Sequence, residues 1–129
     1  MKFVVLIYND PKLLGDLPET DFNSTMRDCL SHADELKQGG RLLDSQMLED
    51  PSHAKSVRIR NGRRTVLDGP FAESKEVLGG FNIIEAENME EALEIADLFP
   101  WAATGCVEVR PVRDVDAVRT RVGAERAHA

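Results

Sequence analysis

The chain has 129 residues, the length of one domain, and folding at this size removes roughly two-thirds of the surface that an extended chain exposes. Its 23 acidic and 16 basic residues leave a formal charge of −7, a field that repels phosphate backbones and anionic bilayers, so nucleic-acid binding and membrane adsorption are excluded as leading functions. The two cysteines, Cys29 and Cys106, each lie within an apolar pattern and at no disulfide or metal-ligand spacing, which predicts buried thiols in a reducing compartment.

From Lys2 to Tyr8 the chain is almost wholly apolar, rich in Val, Ile and Phe, and too short for a buried helix; it is predicted to be a strand covered on both faces. Asn9, Asp10 and Pro11 close this run far short of a membrane span or a cleavable signal, so a cytoplasmic protein is expected. After a loop with Gly15 and Pro18, Glu19 to Gln38 places Phe22, Met26, Cys29, Ala33 and Leu36 along one helical stripe, and Gly39 and Gly40 end it. A second strand follows in the stretch from Arg41 to Asp50, stopped by Pro51. Ser56 to Arg60 and Arg63 to Leu67 are β-rich runs joined by Asn61 and Gly62, a hairpin signal that sets Ile59 opposite Arg64 and Val57 opposite Val66. Val57, Ile59 and Val66 then share one side, with Arg58, Arg60 and Thr65 on the other.

Leu78 to Glu87 is the next strand, with Phe81 and Ile83 alternating against Asn82 and Ile84, and Gly79 and Gly80 marking a bulge or a close backbone approach. Asn88 with Glu91 forms a capping box for a helix whose buried stripe is Met89, Ala92, Leu93, Ala96 and Phe99, ended by Pro100. The last strand is Cys106 to Val112, and residues 113–129 form a tail, either a short helix through Val115, Val118 and Val122 or disordered.

The resulting order is an α+β, ferredoxin-like βαββαβ domain over residues 1–112 with an extra β-hairpin, an antiparallel sheet and both helices on one face. A first strand that is apolar on both faces needs a second cover, and a second copy of the sheet supplies it, so a homodimer is expected. Burying about 800 Å² per partner, more than half apolar, contributes several kcal/mol before association costs, at about 25 cal/mol per Å².

The run Asp68 to Phe81, DGPFAESKEVLGGF, resembles the DGPF group of the YCII-related family, as do the closing VEVRPV from Val107 to Val112 and the opening apolar run ending in Ile7 and Tyr8. The resemblance covers roughly Met1 to Val112 and implies a dimeric α+β barrel of ferredoxin-like subunits. Some members resemble small enzymes of aromatic degradation, in which a histidine from the first helix and an aspartate from the sheet form an acid/base pair. In this chain Cys29 stands about where that histidine would be, and His32 lies one turn along, a departure from the pattern. The resemblance also implies a place beside extracytoplasmic-function sigma factors.

Candidate site residues follow from position and chemistry. Asp68 ends a strand just before Gly69 and Pro70, where a partly desolvated carboxylate acts as a general base or, as turn chemistry, accepts the amides of the following turn. Phe71 anchors the loop or walls a ligand, and Glu73 is a second carboxylate or part of a solvated turn. Tyr8 offers a phenol at a strand end, and Glu108 and Arg110, two apart on the last strand, share a face as a salt bridge or a binding pair. Six arginines, Arg58, Arg60, Arg63, Arg64, Arg110 and Arg113, make a local positive spot for a small carboxylate or phosphate, or are solvated strand residues. His32 is expected on the helix surface, and His53 and His128 in a loop and the tail, so neither a metal site nor a cofactor is expected. Two function classes remain: a binding protein or cofactor-free enzyme holding a small organic molecule, an anion included, beside the sheet, with Asp68 as base and Arg58 or Arg110 as electrostatic partner; or a non-catalytic regulatory or protein-interaction module of a sigma-factor response.

Overall fold

A computed structural model of the chain describes residues 1–70 and 75–124. In chain order the elements are β1 (Lys2–Asn9), α1 (Pro11–Gly15), α2 (Glu19–Gln38), β2 (Leu42–Met47), β3 (Lys55–Arg60), β4 (Arg63–Asp68), β5 (Val77–Glu85), α3 (Met89–Asp97), β6 (Gly105–Pro111) and α4 (Val115–Val122), with 3-10 turns at Pro51–His53 and Pro100–Ala103. β1 runs between β5 and β6 in a four-stranded sheet of order β2-β5-β1-β6, and every pairing is antiparallel. That is the ferredoxin-like βαββαβ plan, with β3 and β4 inserted as a separate two-stranded hairpin.

The pleat of β1 decides where the core lies. Phe3, Val5 and Ile7 point to the helices and are buried, whereas Val4, Leu6 and Tyr8 on the opposite face are only half-covered. Within one chain, therefore, the apolar first strand is sealed on one side only. Register carries the same division across the sheet: Val5 stands opposite Asn82 and Val109, and Leu6 opposite Phe81 and Glu108. Ile84, Ala92, Ile95, Ala96 and Phe99 complete the core with Cys29 and Leu36 of α2. Among the described residues, no helix is long and apolar enough to cross a membrane.

Local chemistry sets the element ends. Asn88 Oδ1 accepts the Glu91 amide at 2.8 Å and starts α3. At the end of α2 the chain turns through Gly40 at φ 72°, which lets Arg41 N–H reach Leu36 O at 2.8 Å. The hairpin turn takes Asn61 at φ 53° and Gly62 at φ 74°, so Val57 pairs with Val66 and Ile59 with Arg64 as the spacing predicts. β5 bulges opposite Ile7 and Tyr8, where Gly79 is skipped in the ladder.

Several expectations are corrected. Cys106 is exposed, because its place opposite Tyr8 puts it on the uncovered face of the sheet. His32 is buried rather than on the helix surface: it lies between Cys29 and Leu36 in the helical stripe, its Nε2 is 2.9 Å from Ile95 O, and its ring meets Phe99 edge-on at 4.5 Å. The inward row of α3 is Ala92, Ile95 and Ala96, continued by Phe99 just beyond the helix end, while Met89 and Leu93 stay exposed, because the row follows spacings of three, one and three from Ala92. The segment after β1, read as loop, contains α1, capped by the buried Asp10 whose Oδ1 accepts Lys12 N–H at 2.9 Å. Of the two readings of the tail, the short helix is the one seen at residues 115–122, capped by Asp114 and ended by Gly123 at φ 72°.

Among the glycines, the tightest backbone approach lies at the start of β6. A Cβ on Gly105 would stand 1.9 Å from Tyr8 O, a backbone atom held in the β1–β6 ladder, so the strands must separate to admit it. Gly105→Ala is expected to lower stability by at least ~2 kcal/mol in urea unfolding, whereas Gly15→Ala, which meets nothing within 4 Å, changes it by less than about 1 kcal/mol.

Candidate cavity beneath helix α2

A cavity of about 290 Å³ lies on the helix side of the sheet. Its roof is the stripe of α2, with Phe22, Met26, Cys29 and Ala33 recurring every three or four residues so that all face down. Its floor is the helix-facing row of the sheet: Ile7 on β1, Gly80 and Asn82 on β5, Ser45 and Met47 on β2. Gly80 contributes no side chain to this row, and a Cβ there would lie 2.7 Å from Gln46 O, so the close pairing of β5 with β2 requires glycine at the position where the floor is hollow. Leu14 of α1 and Trp101 of the second 3-10 turn close one end, and the Phe22 and Trp101 rings pack at 5.9 Å and 45°.

The polar groups in this lining are few and fixed. Asn82 is 6% exposed, and its Oδ1 accepts the Ser45 hydroxyl at 2.7 Å. Its Nδ2 has no acceptor among the described residues. Asn9 packs its Nδ2 where a Cβ on Gly79 would come within 2.4 Å, and its Oδ1 is buried without a partner among the described residues. Burial pushes the Cys29 thiol up from its ordinary pKa, and the Trp101 side chain, bonded to the sulfur, offsets only part of that. Cys29 is therefore a neutral wall atom rather than a ready nucleophile. At the rim, Leu48 to Pro51 and Val77 to Gly79 separate this cavity from a broader groove of about 640 Å³ that touches Tyr8, His53, Ala54, Pro70 and Glu76.

The sequence-predicted residues fall elsewhere. Asp68 ends β4 at the root of the hairpin with its side chain 86% exposed, and it pairs with Lys55 Nζ at 2.5 Å. Arg58 lies on the other face of that hairpin, because it pairs with Thr65 while Asp68 pairs with Lys55, three positions away in register, so the expected Asp68–Arg58 partnership is not formed. The following turn is held by Gly69 N–H donating to Ala54 O at 2.7 Å. Tyr8, Glu108 and Arg110 do come together on the open face of the sheet, where Tyr8 donates to Glu108 Oε1 at 3.3 Å. Burial, the neighbouring Glu108 charge and that hydrogen bond raise the Tyr8 phenol, which keeps it a donor rather than a base. Phe71 and Glu73 lie outside the described residues.

The cavity residues that position alone did not reveal are Asn9, Ser45, Asn82 and Trp101. One signal was present: Asn82 is a lone amide inside the apolar run of β5, on the same side as Ile84, and a buried amide must find partners. Among the described residues no group of three or more His, Cys, Asp or Glu side chains is arranged to hold a metal ion.

With this geometry in hand, comparison with known proteins gives two findings. The model of the YCII-related domain matches residues 1–116. An uncharacterized protein of Rhizobium meliloti (strain 1021) is 34% identical over 114 residues, which cover 87% of this chain and 92% of that protein.

The two thiols should differ sharply in reactivity. Iodoacetamide at mildly alkaline pH is expected to alkylate the exposed Cys106 at least ~10-fold faster than the buried Cys29, as followed by peptide mass spectrometry; equal rates would contradict the enclosure of Cys29.

Proposed function

The chain belongs to the YCII-related domain family, and on that premise we propose that it binds a small organic molecule in the cavity beneath α2. The observation that carries this reading is a mainly apolar hollow, of a size near the lower end of small-molecule sites, lined by Asn82, whose Nδ2 takes no acceptor among the described residues, and by Asn9, whose Oδ1 is buried there without a partner among them. A packed core tolerates neither the void nor the unpartnered Asn9 oxygen without a compensating role. Binding, rather than proton transfer, is the chemistry we read in these residues, since burial keeps Cys29 neutral and the carboxylates of the lining, Glu49 and Asp50, are exposed at its rim.

The DGPF run from Asp68 to Phe81 places the chain, in this reading, in the DGPF group of the family. Pairing of two copies through the open sheet face belongs to the same proposal. It is supported by the half-covered row of Val4, Leu6, Phe81 and Ile83 and by the exposed apolar side chains of Val57, Ile59 and Val66 on the hairpin. Tyr8, Glu108 and Arg110 then lie at the seam between the copies, and the Asp68–Lys55 pair braces the hairpin root.

Two measurements test this. A metabolite screen by thermal shift is expected to yield compounds that raise the melting temperature of the natural chain and not of Ala33→Phe, whose added ring occupies the cavity; compounds that stabilise both equally would refute binding there. Light scattering at micromolar concentration is expected to give twice the mass of the chain, and Leu6→Glu to halve it. A stable monomer of the natural chain would end the pairing proposal.

A further inference from the structure

The charge and size of the cavity lining select a class of ligand. Among the described residues that line it there is no lysine, arginine or histidine, and the acidic groups are the two carboxylates at the rim, Glu49 and Asp50. Asp50 accepts the Ser52 amide at 2.9 Å, which holds its carboxyl below its ordinary value, so Asp50 keeps its charge into mild acid. An anion passing that rim meets two like charges and then an apolar interior that offers no counter-charge.

The interior sets the rest. Phe22, Trp101, Met26 and Leu14 present apolar and aromatic surface, and the methionine adapts to ligand shape. The volume, about 290 Å³, is near twice the ~150 Å³ that accommodates a benzene ring. On the floor, Ser45 takes Asn82 Oδ1 and so commits the oxygen side of the amide, leaving the N–H side for an incoming acceptor.

We propose that the cavity is a site for an uncharged, mainly apolar molecule of about two fused rings whose single oxygen acceptor takes the Nδ2 hydrogen of Asn82, and that Glu49 and Asp50 turn anionic analogues away. This assignment rests on the reading of the cavity as a ligand site and names what that site prefers.

The experiment titrates the full chain with indane, indanone and indane carboxylate, which share a skeleton and differ in acceptor and charge. Heteronuclear NMR follows the Asn82 side-chain amide, and thermal shift follows binding. Indanone is expected to bind roughly five- to tenfold more tightly than indane and to move the Asn82 amide resonance, since its carbonyl adds a hydrogen-bond acceptor to the same skeleton and that bond outweighs the carbonyl's lost hydration. The carboxylate is expected to bind at least ~10-fold more weakly than the ketone and to recover part of that loss in Glu49→Lys. Asn82→Ala is expected to level indane and indanone; should that variant fail to fold, the ranking and the Asn82 resonance in the natural chain decide alone. If the carboxylate binds tightest, or indanone matches indane with the Asn82 resonance unmoved, the ligand class is overturned while the cavity reading survives. If no probe binds or stabilises the chain, both fall.

Discussion

The register between β1 and β5 is the constraint on which the rest of this structure depends. Val5 stands opposite Asn82 and Ile7 opposite Gly80, so the helix-facing row holds an amide and a gap exactly where α2 crosses above them. A slip of one residue would send Phe81 and Ile83 into the core and bring Asn82 to the open face, exchanging a hollow interior for a crowded one. The bulge at Gly79 protects that alignment, because it takes up the extra residue beyond Ile7 and leaves the pairs nearer the strand's other end undisturbed.

From that alignment the cavity follows by subtraction. Side chains at Phe3, Val5 and Ile84 fill the space between the sheet and the helices near one end, with each less than 2% exposed. Toward the other end Gly80 supplies nothing, Asn82 is drawn aside by Ser45, and Ala33 on α2 is small, so the layers stay apart without touching. Trp101 and Leu14 then act as an end wall. Packing density is thus uneven along one strand pair, and the looser part coincides with the polar one.

Much of the architecture was legible in the residues. The Asn-Gly turn, the Asn88 cap, the paired glycines after α2 and the stripe from Phe22 to Leu36 each depend on local geometry that sequence spacing reports directly. The site was less legible because it arises from contacts between distant segments. Trp101 reaches the cavity from a 3-10 turn after α3, and Asn9 reaches it from the end of β1, and neither position carries a periodic signal. His32 misled for a related reason: one polar ring within an apolar stripe reads as surface until Ile95 O and Phe99 arrive from α3 to receive it. Asp68 drew two readings because turn residues and catalytic residues share composition, and the structure gives it Lys55 as its ion-pair neighbour.

The contact between Asn9 and Gly79 ties two distant positions to a common fate. Because a methyl group on residue 79 would come within 2.4 Å of the Asn9 side-chain amide, a larger residue at 79 must displace that side chain. The same side chain carries a buried carbonyl oxygen that has no partner among the described residues, so a change at 79 alters the polar accounting at position 9. The dependence runs one way: position 9 shrinks without touching the glycine, whereas the glycine changes only when Asn9 yields.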